Sequence, residues 1–180
     1  MVAMALANSL SLADLEAMPD DGRRYELIGG AIVMTPAPGP EHQRVSRRLV
    51  ALLEAAMPPG HEVFDAPIDL DLHGGQRVQP DVVVVPTASI GGKRLSLPAL
   101  LVVEIVSAGS TTHDTVTKRA VYAAAGIPAY WIVDPDRGIV TALRLDDTGT
   151  YQTDAEGPNV HLDWPVSVEV DVAALRRPPG

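Results

Sequence analysis

The sequence predicts an α/β fold in which helices flank a mixed β-sheet. Three consecutive segments carry this prediction: an apolar strand at residues 100–106, a helix at 112–125 and a second apolar strand at 129–133. A strand, helix, strand order of this kind joins two parallel strands by a crossover helix. A nearly all-valine segment at residues 81–85 adds another strand, and its continuous apolar character indicates that both of its faces are buried.

The other predicted elements are short and are punctuated by glycine and proline. A short helix at 11–18 begins with Ser11 as its N-cap, and a longer one at 41–56 has apolar residues at helical spacing. The Gly29-Gly30 pair predicts a tight hairpin between strands at 24–28 and 31–34. Further strands are expected at 61–64, 67–72, 139–145, around Tyr151 and at 166–170, and residues 176–180 are expected to be frayed.

The length of 180 residues predicts a single domain over residues 1–180, with a core at about 10–170. Hydrophobic residues make up 46% of the chain and charged residues 21%, which excludes a disordered tail. No apolar run approaches the roughly 20 residues that a membrane span needs. The N-terminus has no basic segment of the kind that begins a signal peptide, so we expect a cytoplasmic protein that does not engage a membrane.

Cysteine is absent, so the chain contains no disulfide, zinc thiolate or thiol nucleophile. A metal ion would therefore need oxygen or imidazole ligands, which favours Mg²⁺, Mn²⁺ or Ca²⁺. The formal net charge of −9 argues against strong non-specific binding to nucleic acid. The chain has only two lysines, Lys93 and Lys118, and this scarcity limits the choice of a catalytic ammonium group.

Two carboxylates fall in the most apolar part of the sequence. Asp81 opens the valine strand, and Glu104 lies inside the strand at 100–106. If these strands are neighbours, the two acids repel each other unless a cation lies between them. A hard divalent ion is the obvious cation, and the main-chain carbonyl of Ile105 could add an oxygen ligand. The alternative is structural: Asp81 caps a turn, and Glu104 pairs with a buried arginine or lysine.

Several sequence stretches together carry a family resemblance. They read YELIGG, PEHQRVSRRL, QPDVVVV, LVVEIVS and HDTVTKRAVYAAAGIPAYWIVDP. In combination they resemble the bacterial Uma-type endonuclease family, long catalogued as a domain of unknown function. That family belongs to the PD-(D/E)xK superfamily. The resemblance implies a restriction-endonuclease-like mixed sheet flanked by helices, with an added N-terminal hairpin.

The resemblance also implies roles for individual residues. Asp81 and Glu104 would be metal ligands, and Glu26, near the same site, would hold Mg²⁺ or Mn²⁺ with them. His42 would face the cleft as a further catalytic residue. The superfamily's usual lysine position is occupied here by Val106, so Lys118 on the following helix would take over that role. The implied function is a metal-dependent endonuclease that cleaves DNA.

Each of these residues also has a purely structural interpretation. Lys118 could form a surface pair with Asp114 one helical turn earlier, His42 could be a boundary histidine, and Glu26 could be a solvated strand residue. Three arginines of the 41–56 helix are either a solvated face or the local basic patch of an acidic nuclease: Arg44, Arg47 and Arg48.

DNA binding by such an acidic protein should be weak and salt-sensitive, and a homodimer would suit duplex cleavage. The competing function is an inactive nuclease fold that acts in protein or nucleic-acid interaction.

Overall fold

A computed structural model of the chain describes residues 9–35, 37–106 and 112–178. In these ranges the helices are α1 (Leu12–Glu16), α2 (Pro40–Ala56), α3 (Thr112–Ala124) and α4 (Val172–Arg176). The strands are β1 (Arg24–Ile28), β2 (Ala31–Thr35), β3 (His61–Asp65), β4 (Leu70–Leu72), β5 (Gln76–Val78), β6 (Val82–Pro86), β7 (Ile90–Gly91), β8 (Arg94–Ser96), β9 (Leu101–Ile105), β10 (Ala129–Asp134), β11 (Ile139–Leu145), β12 (Tyr151–Gly157), β13 (Asn159–Leu162) and β14 (Val168–Asp171). Within the described ranges, no helix has the length and apolar character needed to cross a membrane.

The central sheet has six strands in the order β12-β11-β10-β9-β6-β3. Strands β9 and β10 are parallel and are joined through α3, whereas β6 and β9 are antiparallel. The predicted α/β class and the predicted crossover helix are therefore confirmed. The valines of β6 are buried on both faces, which explains why this strand has no alternating pattern.

The predicted N-terminal hairpin is present and belongs to a second sheet. Strands β1 and β2 form one edge of a second six-stranded sheet with the order β2-β1-β5-β4-β8-β7. Strands β5 and β8 have only three residues each, and each of them contains an arginine, so no alternation revealed them. The expected strand at 67–72 is confined to Leu70–Leu72. The expected fraying of residues 176–180 is wrong for Arg176, which ends α4, and residues 179–180 lie outside the described ranges.

The two faces of the central sheet have different covers. On one face α2 buries its apolar side, which consists of Val45, Leu49 and Leu53. The other face packs against Tyr122 of α3 and against residues of the second sheet such as Leu70 and Val78. This second interface, between the two sheets and α3, is the layer in which the polar residues discussed below are buried.

A glycine turn fixes the position of β1 in this layer. Gly29 and Gly30 have φ angles of 57° and 78°, which is the left-handed region that a tight hairpin turn requires. A Cβ atom at Gly30 would lie 2.6 Å from the Cβ of Ser9, so the turn also leaves no room for a side chain there. The hairpin register that follows pairs Glu26 with Val33.

Candidate functional site

Asp81 and Glu104 lie opposite each other on neighbouring strands. In the antiparallel register of β6 and β9, Val82 pairs with Val103, so the next step outward places Asp81 opposite Glu104. Directly opposed residues point to the same face of a sheet. Both acids are buried, with 3% of Asp81 and 7% of Glu104 exposed. The structure therefore brings these two sequence-predicted residues together on the face that α3 covers.

Asp81 is surrounded by donors. Its Oδ1 accepts a hydrogen bond from the Arg24 guanidinium at 2.9 Å, and its Oδ2 lies 3.0 Å from Nε2 of His42. The Ile105 amide donates to the same Oδ2 at 2.8 Å. Burial by itself would raise the pKa of Asp81, but His42, Arg24 and the Ile105 amide together hold this pKa below its usual value. Asp81 is therefore a carboxylate that the fold keeps ionised.

Glu104 has a different environment. Its Oε1 accepts hydrogen bonds from Nζ of Lys118 at 3.0 Å and from the hydroxyl of Tyr122. Burial raises the pKa of Glu104 to about 7, although Lys118 opposes this rise, and the nearby charges of Asp81 and Glu26 add to it. Close to neutral pH, Glu104 is thus poised between its protonated and ionised forms.

Glu26 brings a third carboxylate from the second sheet. Its Oε1 lies 3.2 Å from Nζ of Lys118 and accepts a hydrogen bond from the Gln79 amide at 2.7 Å. Only 2% of Glu26 is exposed, so the interpretation as a solvated strand residue is wrong. The buried Lys118 ammonium therefore links acids from both sheets.

Lys118 is not a solvated surface residue. Burial by itself would lower the pKa of Lys118, but the carboxylates of Glu104 and Glu26 raise it above its usual value, so the ammonium stays charged. The predicted partner Asp114 has a side chain that lies outside the described residues. The exposed-pair interpretation is wrong, since Lys118 is 8% exposed.

A cleft of about 250 Å³ opens beside Asp81 at the N-terminal end of α2. His42, Ser46 and the exposed Arg47 line it from the helix, and Asp65 lines it from the end of β3. His42 therefore faces the cleft, as the resemblance implied, and also contacts Asp81. The cleft gives a solvent route to Asp81.

The three arginines of α2 do not act as one patch. Arg47 lines the cleft, whereas Arg44 donates to the main-chain carbonyl of Arg176 and Arg48 to that of Ala174. The last two arginines thus hold α4 against α2. Arg47 is therefore the one arginine of α2 at the cleft, and Arg44 and Arg48 have structural contacts.

Arg24 is the functional-site residue that sequence reasoning missed. It is the first residue of β1, two positions before Glu26, and residues two apart on a strand face the same side. This spacing was the available signal, because a buried Glu26 implies that Arg24 also points toward the site. The partner, Asp81, lies 57 residues away in the sequence, so nothing local indicates the contact.

The three carboxylates have the donor chemistry of a site for a hard divalent ion. Mg²⁺ and Mn²⁺ prefer carboxylate and carbonyl oxygens, and Glu26, Asp81 and Glu104 supply such oxygens within one buried layer. In the described part of the chain, no three His, Asp or Glu side chains already converge in the manner of a metal cage. Instead, Arg24 and Lys118 neutralise the acids. The oxygen donors are therefore of the kind that such an ion prefers, and in this structure Arg24 and Lys118 contact the same carboxylates.

Comparisons with known proteins agree with this architecture. A family model named Uma2, with the description putative restriction endonuclease, matches residues 12–173. The fold is also similar to the crystal structure of a putative nuclease belonging to DUF820 from Anabaena variabilis, with a TM-score of 0.71 and 19% sequence identity. That similarity covers 92% of this chain and 97% of the other. No curated protein sequence matches the chain.

Proposed function

Because this chain belongs to the Uma2 family of putative restriction endonucleases, we propose that it is a metal-dependent endonuclease that hydrolyses phosphodiester bonds in DNA. One observation carries the proposal. The Lys118 ammonium contacts carboxylates from two different sheets, and Asp81 lies opposite one of these carboxylates at the edge of a cleft. A purely structural core has no need for three acids and a lysine at such a place, because buried charges cost stability.

The metal ligands in this proposal are Glu26, Asp81 and Glu104, together with the carbonyl oxygen of Ile105. Mg²⁺ or Mn²⁺ held there would supply charge neutralisation at the phosphodiester and a water molecule of lowered pKa. The contribution of Ile105 rests on its location, since its amide already bonds to Asp81. Asp81 supports the proposal most directly, because it is kept ionised and lines the cleft.

Lys118 takes the role of the superfamily lysine. The usual position belongs to Val106, whose amide bonds to the carbonyl of Val133 and whose side chain carries no charge. Lys118 reaches Glu104 from α3 and keeps its positive charge. In this place the ammonium would stabilise negative charge that develops on the phosphate during attack. His42, at the mouth of the cleft, would orient Asp81 and hold a proton near the attacking water.

The overall charge shapes how DNA would bind. A net charge of −9 repels the phosphate backbone, so binding should be weak and should fall steeply with salt concentration. Arg47 supplies an exposed positive charge at the cleft, next to His42. A homodimer would place two such sites on one duplex, and we propose this arrangement for cleavage of both strands.

The test is the nicking of supercoiled plasmid DNA with millimolar Mn²⁺ or Mg²⁺ at low salt. The wild type should convert the plasmid to open-circular DNA, EDTA should stop the reaction, and the Asp81→Asn, Glu104→Gln double variant should be inactive. Asp163→Asn, which changes an exposed carboxylate, is the matched control and should cleave normally.

Two results would contradict the proposal. Equal cleavage by the wild type and the double variant would mean that Asp81 and Glu104 do not form the active site. No cleavage by the wild type under any of these conditions would favour the inactive interaction module. A parallel assay on a structured RNA decides between DNA and RNA as the substrate.

A further inference from the structure

Arg24 lies at the site, but the proposed chemistry has no role for it. Its guanidinium contacts Oδ1 of Asp81 at 2.9 Å, and 13% of its side chain is exposed. Asp81 Oδ2 already has two partners, His42 Nε2 and the Ile105 amide. Arg24 is therefore the charged partner of the remaining oxygen of Asp81, a residue that we propose as a metal ligand.

The chemistry of arginine makes this contact different from that of His42. A histidine can become neutral by losing a proton, whereas a guanidinium cannot lose its charge in a protein. A divalent ion that approaches Asp81 must therefore coexist with a positive charge at about 3 Å or displace it. Two cations at one carboxylate oxygen repel each other strongly, so movement of the arginine is the favourable solution.

Two further observations indicate that the Arg24 contact can be exchanged. The Nε atom of Arg24 is buried and has no hydrogen-bond partner among the described residues. The contact with Asp81 therefore leaves one donor of the guanidinium unsatisfied, and this lowers the cost of leaving. Arg24 is also the first residue of β1, and residues 17–23 just before it belong to no helix or strand.

We propose that Arg24 is a built-in counter-ion that neutralises Asp81 in the metal-free protein and competes with the divalent ion for this carboxylate. This inference rests on the proposed function, because it takes Asp81 as a metal ligand. In the absence of metal, Arg24 lowers the cost of burying the acids. In its presence, the same charge weakens metal binding, so Arg24 sets the metal concentration at which the site fills.

The experiment is a calorimetric titration of the 180-residue chain with Mn²⁺. Arg24→Gln should bind Mn²⁺ about tenfold more tightly than the wild type, since one competing charge is removed. Arg24→Lys keeps the charge and should remain within about twofold of the wild type. Arg23→Gln is the matched control, because Arg23 is the adjacent arginine and pairs with Asp21. This variant should bind Mn²⁺ as the wild type does. Asp81→Asn should lose the binding.

A second measurement uses the wild type and does not depend on the folding of any variant. The side-chain Nε–H resonance of Arg24, assigned by its loss in Arg24→Lys, is followed by NMR while diamagnetic Mg²⁺ is added. This resonance should shift as the guanidinium leaves Asp81, and that of Arg23 should stay in place.

The outcomes separate this inference from the proposed function. If Mn²⁺ binds with equal affinity to the wild type and to Arg24→Gln, and Asp81→Asn abolishes binding, the metal site is real and the counter-ion inference is wrong. An Arg24 resonance that does not move at saturating Mg²⁺ overturns the inference in the same way. If no protein binds Mn²⁺ through Asp81, both the inference and the proposed metal dependence fail.

Discussion

Asp81 and Glu104 face each other from neighbouring strands and are both buried, yet their surroundings move their pKa values in opposite directions. Asp81 has donors on both oxygens: an arginine, a histidine and a main-chain amide. Glu104 shares its lysine with Glu26 and has the other acids close by. Burial is similar for the two residues, so the supply of donors decides which of them stays ionised.

The location of each acid explains this difference. Asp81 directly precedes β6 and lines the cleft, where side chains from β1 and α2 can reach it. Glu104 lies inside β9, between the apolar residues Val103 and Ile105, and its side chain is beneath Tyr122 of α3. The Asp81 side of the site therefore opens toward the cleft, and the Glu104 side holds Lys118.

The largest expected effect comes from removing Lys118, the cation on the Glu104 side. Lys118→Ala should lower phosphodiester cleavage by about 10²–10⁴-fold, the range for the loss of one positioned acid–base or electrostatic group. The measurement is single-turnover cleavage with Mn²⁺ in excess, which separates catalysis from a change in metal affinity. Among the described residues, Lys118 is the only lysine whose ammonium contacts Glu26 and Glu104, and Lys118→Ala removes that charge from both acids.

Lys93→Ala is the matched control, because Lys93 is the other lysine of the chain and is exposed in the turn between β7 and β8. Its cleavage rate should stay within about twofold of the wild type. Unchanged cleavage by Lys118→Ala would mean that Lys118 is only a structural partner of Glu104. An arginine would then have to carry the charge at the phosphate.

In EDTA, Asp81 and Glu104 should make the free energy of unfolding depend on pH in opposite ways. Glu104 ionises at about 4.5 in the unfolded chain and at about 7 in the folded protein. The stability that it contributes is therefore fully present below about pH 4.5 and is lost as the pH rises to 7. Glu104→Gln should remove this loss and be about 3 kcal/mol more stable than the wild type at pH 8.

Asp81→Asn should behave in the opposite way. The pKa of Asp81 is lowered by folding, so its contribution is present above the ordinary value of 3.8 and is lost as the pH falls below that value. Replacing it leaves Arg24 without its charged partner, which should cost about 3 kcal/mol at pH 7. Urea unfolding at pH 5 and pH 8 measures both variants. If both variants were stabilised, or both were destabilised, the opposite pKa shifts of Asp81 and Glu104 would be contradicted.

The predicted and the missed parts of the molecule differ in the range of the interactions involved. Strand β9, helix α3 and strand β10 were predictable because the two apolar runs and the helical segment between them are local signals. The second sheet was not, since β5 and β8 are held by pairing with distant strands rather than by their own pattern. Asp81 and Glu104 were found because a charge in an apolar strand is conspicuous, and Glu26 was found through the family resemblance. Arg24 lies in a polar segment, where a charge is not conspicuous.

A smaller effect is expected at the mouth of the cleft. Arg47→Glu should weaken binding of a short DNA duplex about five- to tenfold at low salt, because it reverses an exposed charge beside His42. A fluorescence anisotropy titration, repeated at several salt concentrations, should show a lower salt dependence for this variant. Arg44→Gln is the control: this arginine bonds to the Arg176 carbonyl and should leave DNA affinity unchanged. If both variants weakened DNA binding equally, the arginines of α2 would affect DNA only through the overall surface charge, and Arg47 would have no special role at the cleft.

The smallest effect distinguishes the buried acid Asp81 from a partly exposed acid, Asp146, whose pKa is also lowered. Asp146 follows β11 and accepts hydrogen bonds from Thr148, Thr150 and Gln152 across the turn to β12. The side-chain hydrogen bonds from Thr148 and Gln152, with the Thr150 amide, lower the pKa of Asp146 to about 2. Its contribution is therefore present above the ordinary value of 3.8 and is lost as the pH falls toward 2. Asp146→Ala should lower the melting temperature slightly at pH 6 and by less at pH 2, and it should leave Mn²⁺ binding and cleavage unchanged. Because solvent screens a partly exposed carboxylate, this loss should be smaller than that of Asp81→Asn at the same pH. A loss as large as that of Asp81→Asn would mean that the hydrogen bonds, and not burial beside Arg24, determine what each carboxylate contributes to stability.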